Sequence, residues 1–253
     1  VIVGTGASGL FAALHVPNDK KVLMLTKSDA ENSDSFLAQG GICVLRDKND
    51  FDSFMEDTMK AGHYENRKES VEIMINSSRD IINELIGYGV DFATKDGELD
   101  YTREGAHSKP RILFHEDITG KEITSTLLDV VRKLENVTIM EYVTMTDIIE
   151  KDNVCYGVLA KDANNNEMSI EAGYTIFACG GIGGLYNHST NYPHLTGDAI
   201  AIAIQHGIKL ENVDYVQIHP TTLYTKKRGR AFLISESVRG EGARLYGKDG
   251  KRF

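Results

Sequence analysis

The sequence has 253 residues, 41% of them hydrophobic and 26% charged, so a packed core is expected and a disordered chain is excluded. Its 28 basic and 37 acidic residues leave a net charge of −9, which speaks against nucleic acid or an anionic membrane as partner, since both demand a basic surface. A local basic pocket for a dianion is still allowed. No apolar run nears the roughly 18 residues of a membrane helix, and no signal peptide is visible.

Taken in chain order, Val1-Ile2-Val3 reads as a buried strand that runs into glycine, residues 7–15 as a helix and residues 22–26 as a second strand. This is the opening of a doubly wound α/β fold. Helices follow over 51–61 and 70–87, the second with Met74, Ile81, Ile82 and Leu85 on one face. Residues 121–134 repeat the pattern, with Ile123, Leu127, Val130, Val131 and Leu134 inward. The period then changes: 137–140, 143–149, 154–160 and 174–177 are strand-like, with a turn at Asn164-Asn165-Asn166 inside an antiparallel excursion. A helix over 198–206 precedes an irregular stretch at 211–217, where the first domain is expected to end near residue 212. Both chain ends read as interior sequence, so the chain reads as a piece of a longer one. Cys43, Cys155 and Cys179 show no pairing logic and read as reduced thiols of a cytosolic protein.

Gly4-x-Gly6-x-x-Gly9 lies between the first strand and helix. The first glycine permits the tight turn, the second lets a pyrophosphate approach the backbone, and the third lets helix pack on strand. With the free N–H groups of the helix start, Gly4, Thr5, Gly6, Ala7, Ser8 and Gly9 form a candidate dinucleotide cradle. A ribose-binding acid belongs about 20 residues on. The chain instead has Leu25-Thr26-Lys27-Ser28, which counts against a simple NAD dehydrogenase. Lys27 either stands near adenosine or phosphate or is a solvated surface lysine. In Ser35-Phe36-Leu37-Ala38-Gln39-Gly40-Gly41, the paired glycines let backbone run closely under a flat ligand. Phe177-Ala178-Cys179-Gly180-Gly181 closes a strand, Asp198 opens a helix, and His219-Pro220-Thr221 precedes Glu236-Ser237-Val238-Arg239-Gly240-Glu241-Gly242. On a helix Glu236 and Arg239 share a face, which by itself is a surface ion pair worth little.

Together these segments resemble the "AQGG", "ATGG", "GDG", "HPT" and "E-x-x-R-G-E-G" motifs of the succinate dehydrogenase/fumarate reductase flavoprotein superfamily, with Cys179 and Ala199 as departures. Thr102-Arg103-Glu104-Gly105-Ala106-His107-Ser108 closely resembles the "TREGGHS" segment of the L-aspartate oxidases, one glycine becoming Ala106, and Arg111-Ile112-Leu113 and Thr119-Gly120-Lys121-Glu122 extend the likeness.

The resemblance implies a three-layer FAD-binding domain of glutathione-reductase type over 1–212, then the start of an α+β capping domain over 213–253. It implies FAD held by residues 4–9, Lys27, Asp34, Ser35, Phe36, Leu37, Ala38, Gln39, Gly40, Gly41, Val143, Gly180, Gly181 and Asp198. Members with covalent flavin carry histidine five residues before the glutamine, where this chain has Asp34, so the FAD is expected to be non-covalent. The implied reaction is oxidation of L-aspartate to iminoaspartate by hydride transfer from Cα to flavin N5, with reoxidation by oxygen or fumarate. This would feed quinolinate and NAD synthesis, with quinolinate synthase as a partner. His219, Thr221 and Ser235 are implied in carboxylate binding, Glu236 and Arg239 in proton transfer and charge, and Glu104 in meeting the α-ammonium. By its own chemistry Glu104 is equally a local partner of Arg103. The acid/base arginine of the superfamily has no counterpart in this chain, so the piece alone is expected to be a poor enzyme. A soluble fumarate reductase and an inactive flavin-binding module are the alternatives.

Overall fold

The computed structural model describes residues 1–226, 229–240 and 242–252; Glu241 of the E-x-x-R-G-E-G match and the terminal Phe253 lie outside them. In chain order the elements are β1 (Ile2–Val3), α1 (Ala7–Leu14), β2 (Val22–Leu25), α2 (Asp34–Leu37), β3 (Ile42–Cys43), α3 (Phe51–Ala61) and α4 (Lys68–Tyr88). Then come β4 (Thr94–Lys95), β5 (Glu98–Leu99), β6 (Ile112–Leu113), α5 (Thr119–Val131), β7 (Val137–Met140), β8 (Thr144–Lys151), β9 (Val154–Lys161), β10 (Glu167–Glu171), β11 (Ile176–Phe177), α6 (Asp198–Gln205) and α7 (Glu236–Gly240).

Two compact units alternate along the chain: Val1–Leu37 with Thr124–Leu233, and Ala38–Ile123 with Ile234–Phe253. The first holds a four-stranded sheet in the order β11-β1-β2-β7, every neighbouring pair parallel. This is the strand–helix–strand architecture of an FAD-binding α/β domain, with later strands added on both sides of the first. Beside it β8, β9 and β10 form an antiparallel sheet. The two-residue loop joining β8 to β9 is Asp152-Asn153, both with positive φ (52° and 66°), the conformation that a tight hairpin needs and that these two residue types tolerate. Val3 and Leu25 share one core with Val143, Met145, Ile148, Val158, Ala160 and Ile202, so both sheets of this unit close on the same apolar layer.

The second unit is built on α3 and α4, with the short pairs β3–β6 and β4–β5. Its core joins Phe54 of α3 to Val71 and Ile75 of α4. The face of α4 differs from the one its spacing predicts. Ile82 and Leu85 of the expected face are buried, but Met74 is 47% exposed and Val71 and Ile75, which pack on Phe54 of α3, complete the buried stripe. On α5, Thr124, Leu127, Leu128 and Val131 are buried, whereas Ile123 and Val130 are only partly so. The short strand β10 alternates polar and apolar residues, with Met168 and Ile170 packed toward the core, and it pairs with β9. Gly89, at φ 104°, ends α4 in the left-handed conformation that a side chain disfavours.

Candidate functional site

In the first unit the glycine cradle closes on itself through backbone. Gly4 (φ 116°) donates its N–H to the Leu25 carbonyl at 2.8 Å, and a Cβ there would lie 2.1 Å from the Ala178 oxygen. A Cβ on Gly9 would lie 2.1 Å from the Gly4 oxygen. These two glycines are therefore set by strand and helix packing. Gly6 differs: the nearest atom to its added Cβ is the Ser35 hydroxyl at 3.0 Å, and no backbone is close. The Ser35 hydroxyl also accepts the Ala7 N–H at 3.0 Å, so it occupies one of the free donors at the start of α1.

Gly4, Gly6, Ser8, Lys27, Asp34, Ser35, Val143, Gly180 and Asp198 all line one cavity of about 410 Å³, with Thr5 buried in its wall. Ala7 and Gly9 flank it, Gly9 buried beneath the turn. Lys27 is mostly buried: its ammonium pairs with Asp198 at 2.7 Å and donates to the His194 carbonyl and Thr196 Oγ1, each at 2.7 Å. It thereby ties the end of β2 to the start of α6. The Asp34 carboxylate accepts from the Asn191 side chain and from the Tyr192 N–H at 3.0 Å. Val143 donates to the Thr26 carbonyl at 2.9 Å and is buried. Burial, then the Asp198 charge, push the Cys179 thiol in the same wall up to about 11. Gly181 faces a second cavity of about 770 Å³, whose lining includes Asp34, Tyr186, His188, Tyr215 and His219. There the Thr221 N–H donates to His219 Nδ1 at 3.3 Å, which leaves Nε2 as the protonated nitrogen of the neutral ring. Phe36 and Leu37 are half-buried in α2.

The second unit gathers the other predicted residues. Gln39 Oε1 is buried with no hydrogen-bond partner among the described residues, and Ala38 is exposed, its carbonyl accepting from the Gly120 N–H at 2.9 Å. Gly41 is glycine for a protein reason: a Cβ would meet the Leu113 oxygen at 2.3 Å and Ile112 Cγ2 at 2.4 Å. Gly40 instead looks toward Glu104, whose two carboxylate oxygens lie 3.6 Å from its would-be Cβ. Glu104 Oε1 accepts the Gly41 N–H at 3.3 Å. Glu236 comes close as well, since a Cβ on Gly105 would lie 2.9 Å from its Oε1. Glu236 pairs with Arg239 at 3.4 Å on the short helix α7, as their spacing predicts. Ser235 is buried, and its hydroxyl donates to Asp117 at 2.5 Å, so a ligand carboxylate would have to displace Asp117 as acceptor.

One part of this unit escaped sequence reasoning. Arg111 is fully buried and uses all of its N–H groups: two on Asp50 (3.0 and 2.8 Å), one on Ser53 (3.0 Å), one on Asp57 (2.5 Å) and one on His107 Nδ1 (3.1 Å). Asp50 stands just before the first residue of α3, and Ser53 and Asp57 follow on the same helix face. Burial works against the Asp50 charge, but hydrogen bonds from Arg111 and Ser53 hold its carboxyl at about 2. The signal that could have found the cluster is the helical spacing of Asp50, Ser53 and Asp57 across an otherwise apolar stripe.

A glycine cradle at a helix start, with a cavity walled by the ends of β1, β2 and β11, fits a dinucleotide, and in the second unit the buried Gln39 oxygen can accept from a ligand N–H. Residues 1–253 match the FAD binding domain family, and the chain belongs to that family, within the succinate dehydrogenase/fumarate reductase flavoproteins; FAD is its cofactor. Its curated relatives are L-aspartate oxidases. It is 45% identical over 254 residues to that of Clostridium perfringens and 46% identical over 255 residues to that of Clostridium acetobutylicum, covering 100% of this chain and 58% of either relative. The chain thus spans less than two thirds of their length. Among solved structures it is similar to E. coli quinol fumarate reductase, with TM-score 0.91 and 27% identity over 99% of this chain and 43% of that one. It is also similar to a flavocytochrome c3 fumarate reductase, with TM-score 0.83 and 26% identity over 100% of this chain and 47% of that one.

Proposed function

We propose that the whole protein oxidises L-aspartate to iminoaspartate, with oxygen or fumarate as final acceptor, and that it belongs to quinolinate and NAD synthesis in the cytoplasm beside a quinolinate synthase. The observation that carries the reading is the Glu104 carboxylate, held beside Gly40 by the Gly41 N–H, with Glu236 next to Gly105. A carboxylate so placed complements an α-ammonium and repels a bare dicarboxylate. FAD, when bound, supplies the two-electron acceptor for the Cα–H. Glu104 pairs with the ammonium and fixes the orientation of Cα. His219 Nε2–H, Thr221 and Ser235 bind the carboxylates, Ser235 by giving its proton to substrate in place of Asp117. Glu236 and Arg239 hold charge and pass a proton. Residues 4–9, Lys27, Asp34, Ser35, Phe36, Leu37, Ala38, Gln39, Gly40, Gly41, Val143, Gly180, Gly181 and Asp198 hold the cofactor, Lys27 through its clamp on Asp198. We assign residues 1–212 to the FAD-binding domain and 213–253 to the start of a capping domain, on the loss of regular elements after α6. Binding is non-covalent: a carboxylate, Asp34, stands in the linking position and is already engaged by Asn191 and Tyr192. Acid precipitation of the holoprotein should then release all flavin into the supernatant.

Glu104→Gln tests the substrate. Losing a charge-assisted hydrogen bond worth roughly 1.5–3 kcal/mol should lower kcat/KM for L-aspartate by about one to two decades. Fumarate reduction should hold or rise, because its carboxylates no longer face a negative charge. Equal loss on both substrates, at normal flavin content and Tm, would sink the selective role. It would favour the second reading, a soluble fumarate reductase, which the likeness to fumarate reductase structures supports.

A further inference from the structure

His107 spends both ring nitrogens on protein contacts. Arg111 can only donate, so His107 Nδ1 must accept its N–H at 3.1 Å, and the ring proton of the neutral form is then on Nε2. Nε2 lies 3.3 Å from the Cys43 sulfur, toward which that proton points. Cys43 is two residues past Gly41, and Glu104 is three residues before His107, with the His107 N–H donating to the Glu104 carbonyl at 3.1 Å. The turn 104–107 is therefore fastened to residues 41–43 at both ends, by Glu104 Oε1 to the Gly41 N–H and by His107 to Cys43. Behind His107, Arg111 is itself immobilised by Asp50, Ser53 and Asp57. The thiol stays protonated, pushed up to about 11 by burial and by the Glu104 charge, which suits an acceptor rather than a nucleophile.

We propose that His107 is a positioning residue for Glu104: anchored by Arg111 and clamped to Cys43, it aims the Glu104 carboxylate at the substrate position. This rests on the reading of Glu104 as the group that meets the ammonium of L-aspartate. Protonating His107 would turn Nδ1 from acceptor to donor against Arg111 and break the anchor. The groups that face the ring are Arg111, Asp57, Glu104, Glu236 and Cys43; burial and then Arg111 favour the neutral form and the three carboxylates oppose them, with the net shift downward.

The test uses the whole holoprotein and measures kcat and KM for L-aspartate and for fumarate. His107→Phe should raise KM for L-aspartate about fivefold, the worth of one ordinary hydrogen bond, with KM for fumarate unchanged. Should that variant fail to fold, Cys43→Ala removes only the acceptor of Nε2–H and should shift KM for L-aspartate in the same direction, while Cys43→Ser restores it. In the parent protein KM for L-aspartate should climb as pH falls below the ordinary histidine range and protonates His107, and in the variant lacking the imidazole this limb should vanish. Equal changes on both substrates, or no change, would overturn the positioning role. Glu104→Gln run in parallel separates the two ideas. If it is selective and the His107 and Cys43 variants are not, only the positioning role fails; if it is unselective, the substrate reading fails and takes the positioning role with it.

Discussion

The glycine cradle of the first unit and the Arg111 cluster of the second solve the same problem, holding a loop still, by opposite means. Around Gly4 and Gly9 the chain is fixed by backbone touching backbone, where 2.1 Å separates a hypothetical Cβ from a carbonyl oxygen. Around Arg111 it is fixed by one buried cation shared between two carboxylates, a serine and a histidine. The first device leaves empty space for a ligand. The second fills its space with charge, so its removal strips Asp50 and Asp57 of their main counter-charge. A glycine cradle tolerates loss of the ligand, whereas an ionic cluster tolerates loss of none of its members.

The most damaging way to break this comparison is Arg111→Met, which removes the central cation and leaves the buried Asp50 with only Lys109, 3.5 Å away and half-exposed, as counter-charge. A loss of about 3–5 kcal/mol is expected, lowering Tm by roughly 10 °C, with calorimetry as the check. Survival of the parent Tm would mean that the cluster is ornamental. Gly9→Ala comes next. Its methyl has only backbone to meet, which cannot swing aside, so about 3 kcal/mol is expected together with loss of flavin. Urea unfolding monitored by circular dichroism reads the first and absorbance the second.

Acid should sharpen the contrast, because charge holds the Arg111 cluster and the backbone contacts at Gly4 and Gly9 carry none. The Asp50 carboxyl is held at about 2, below its ordinary 3.8. A depressed carboxylate stabilises the fold fully above pH 3.8 and ceases to as pH falls through 2. Roughly 2 kcal/mol should therefore disappear across that window, and Asp50→Asn should abolish this part of the acid dependence of stability. The smallest effect on stability is expected for Gly6→Val. Its side chain meets the movable Ser35 hydroxyl and enters the cavity, so stability should change by less than about 1 kcal/mol while flavin content collapses. Normal flavin in that variant would show that the phosphates lie elsewhere.

The sequence by itself determined a good deal of the local structure in both units. Glycine spacing, short apolar strands and the 3.6-residue period act locally, so Gly4, Gly6 and Gly9, helices α1 and α3 and the parallel opening of the sheet were legible residue by residue. Family motifs likewise marked Glu104 and Glu236, though not that the bare backbone of Gly105 is what leaves room for the Glu236 carboxylate. Tertiary structure alone decided the rest. Met74 has the right period for the buried face of α4 and is exposed, because the position of α3, and not the period, chooses which stripe is covered. Gly41 is required by β6 and not by a ligand, a fact that depends on a strand some seventy residues away. Arg111 enters the sequence only as part of a family likeness; its burial is decided when α3 folds Asp50, Ser53 and Asp57 onto one face and the chain returns to meet them. Local pattern records what a residue needs from its neighbours in sequence; a buried charge is decided by partners far along the chain, which only the closed fold brings within hydrogen-bonding distance.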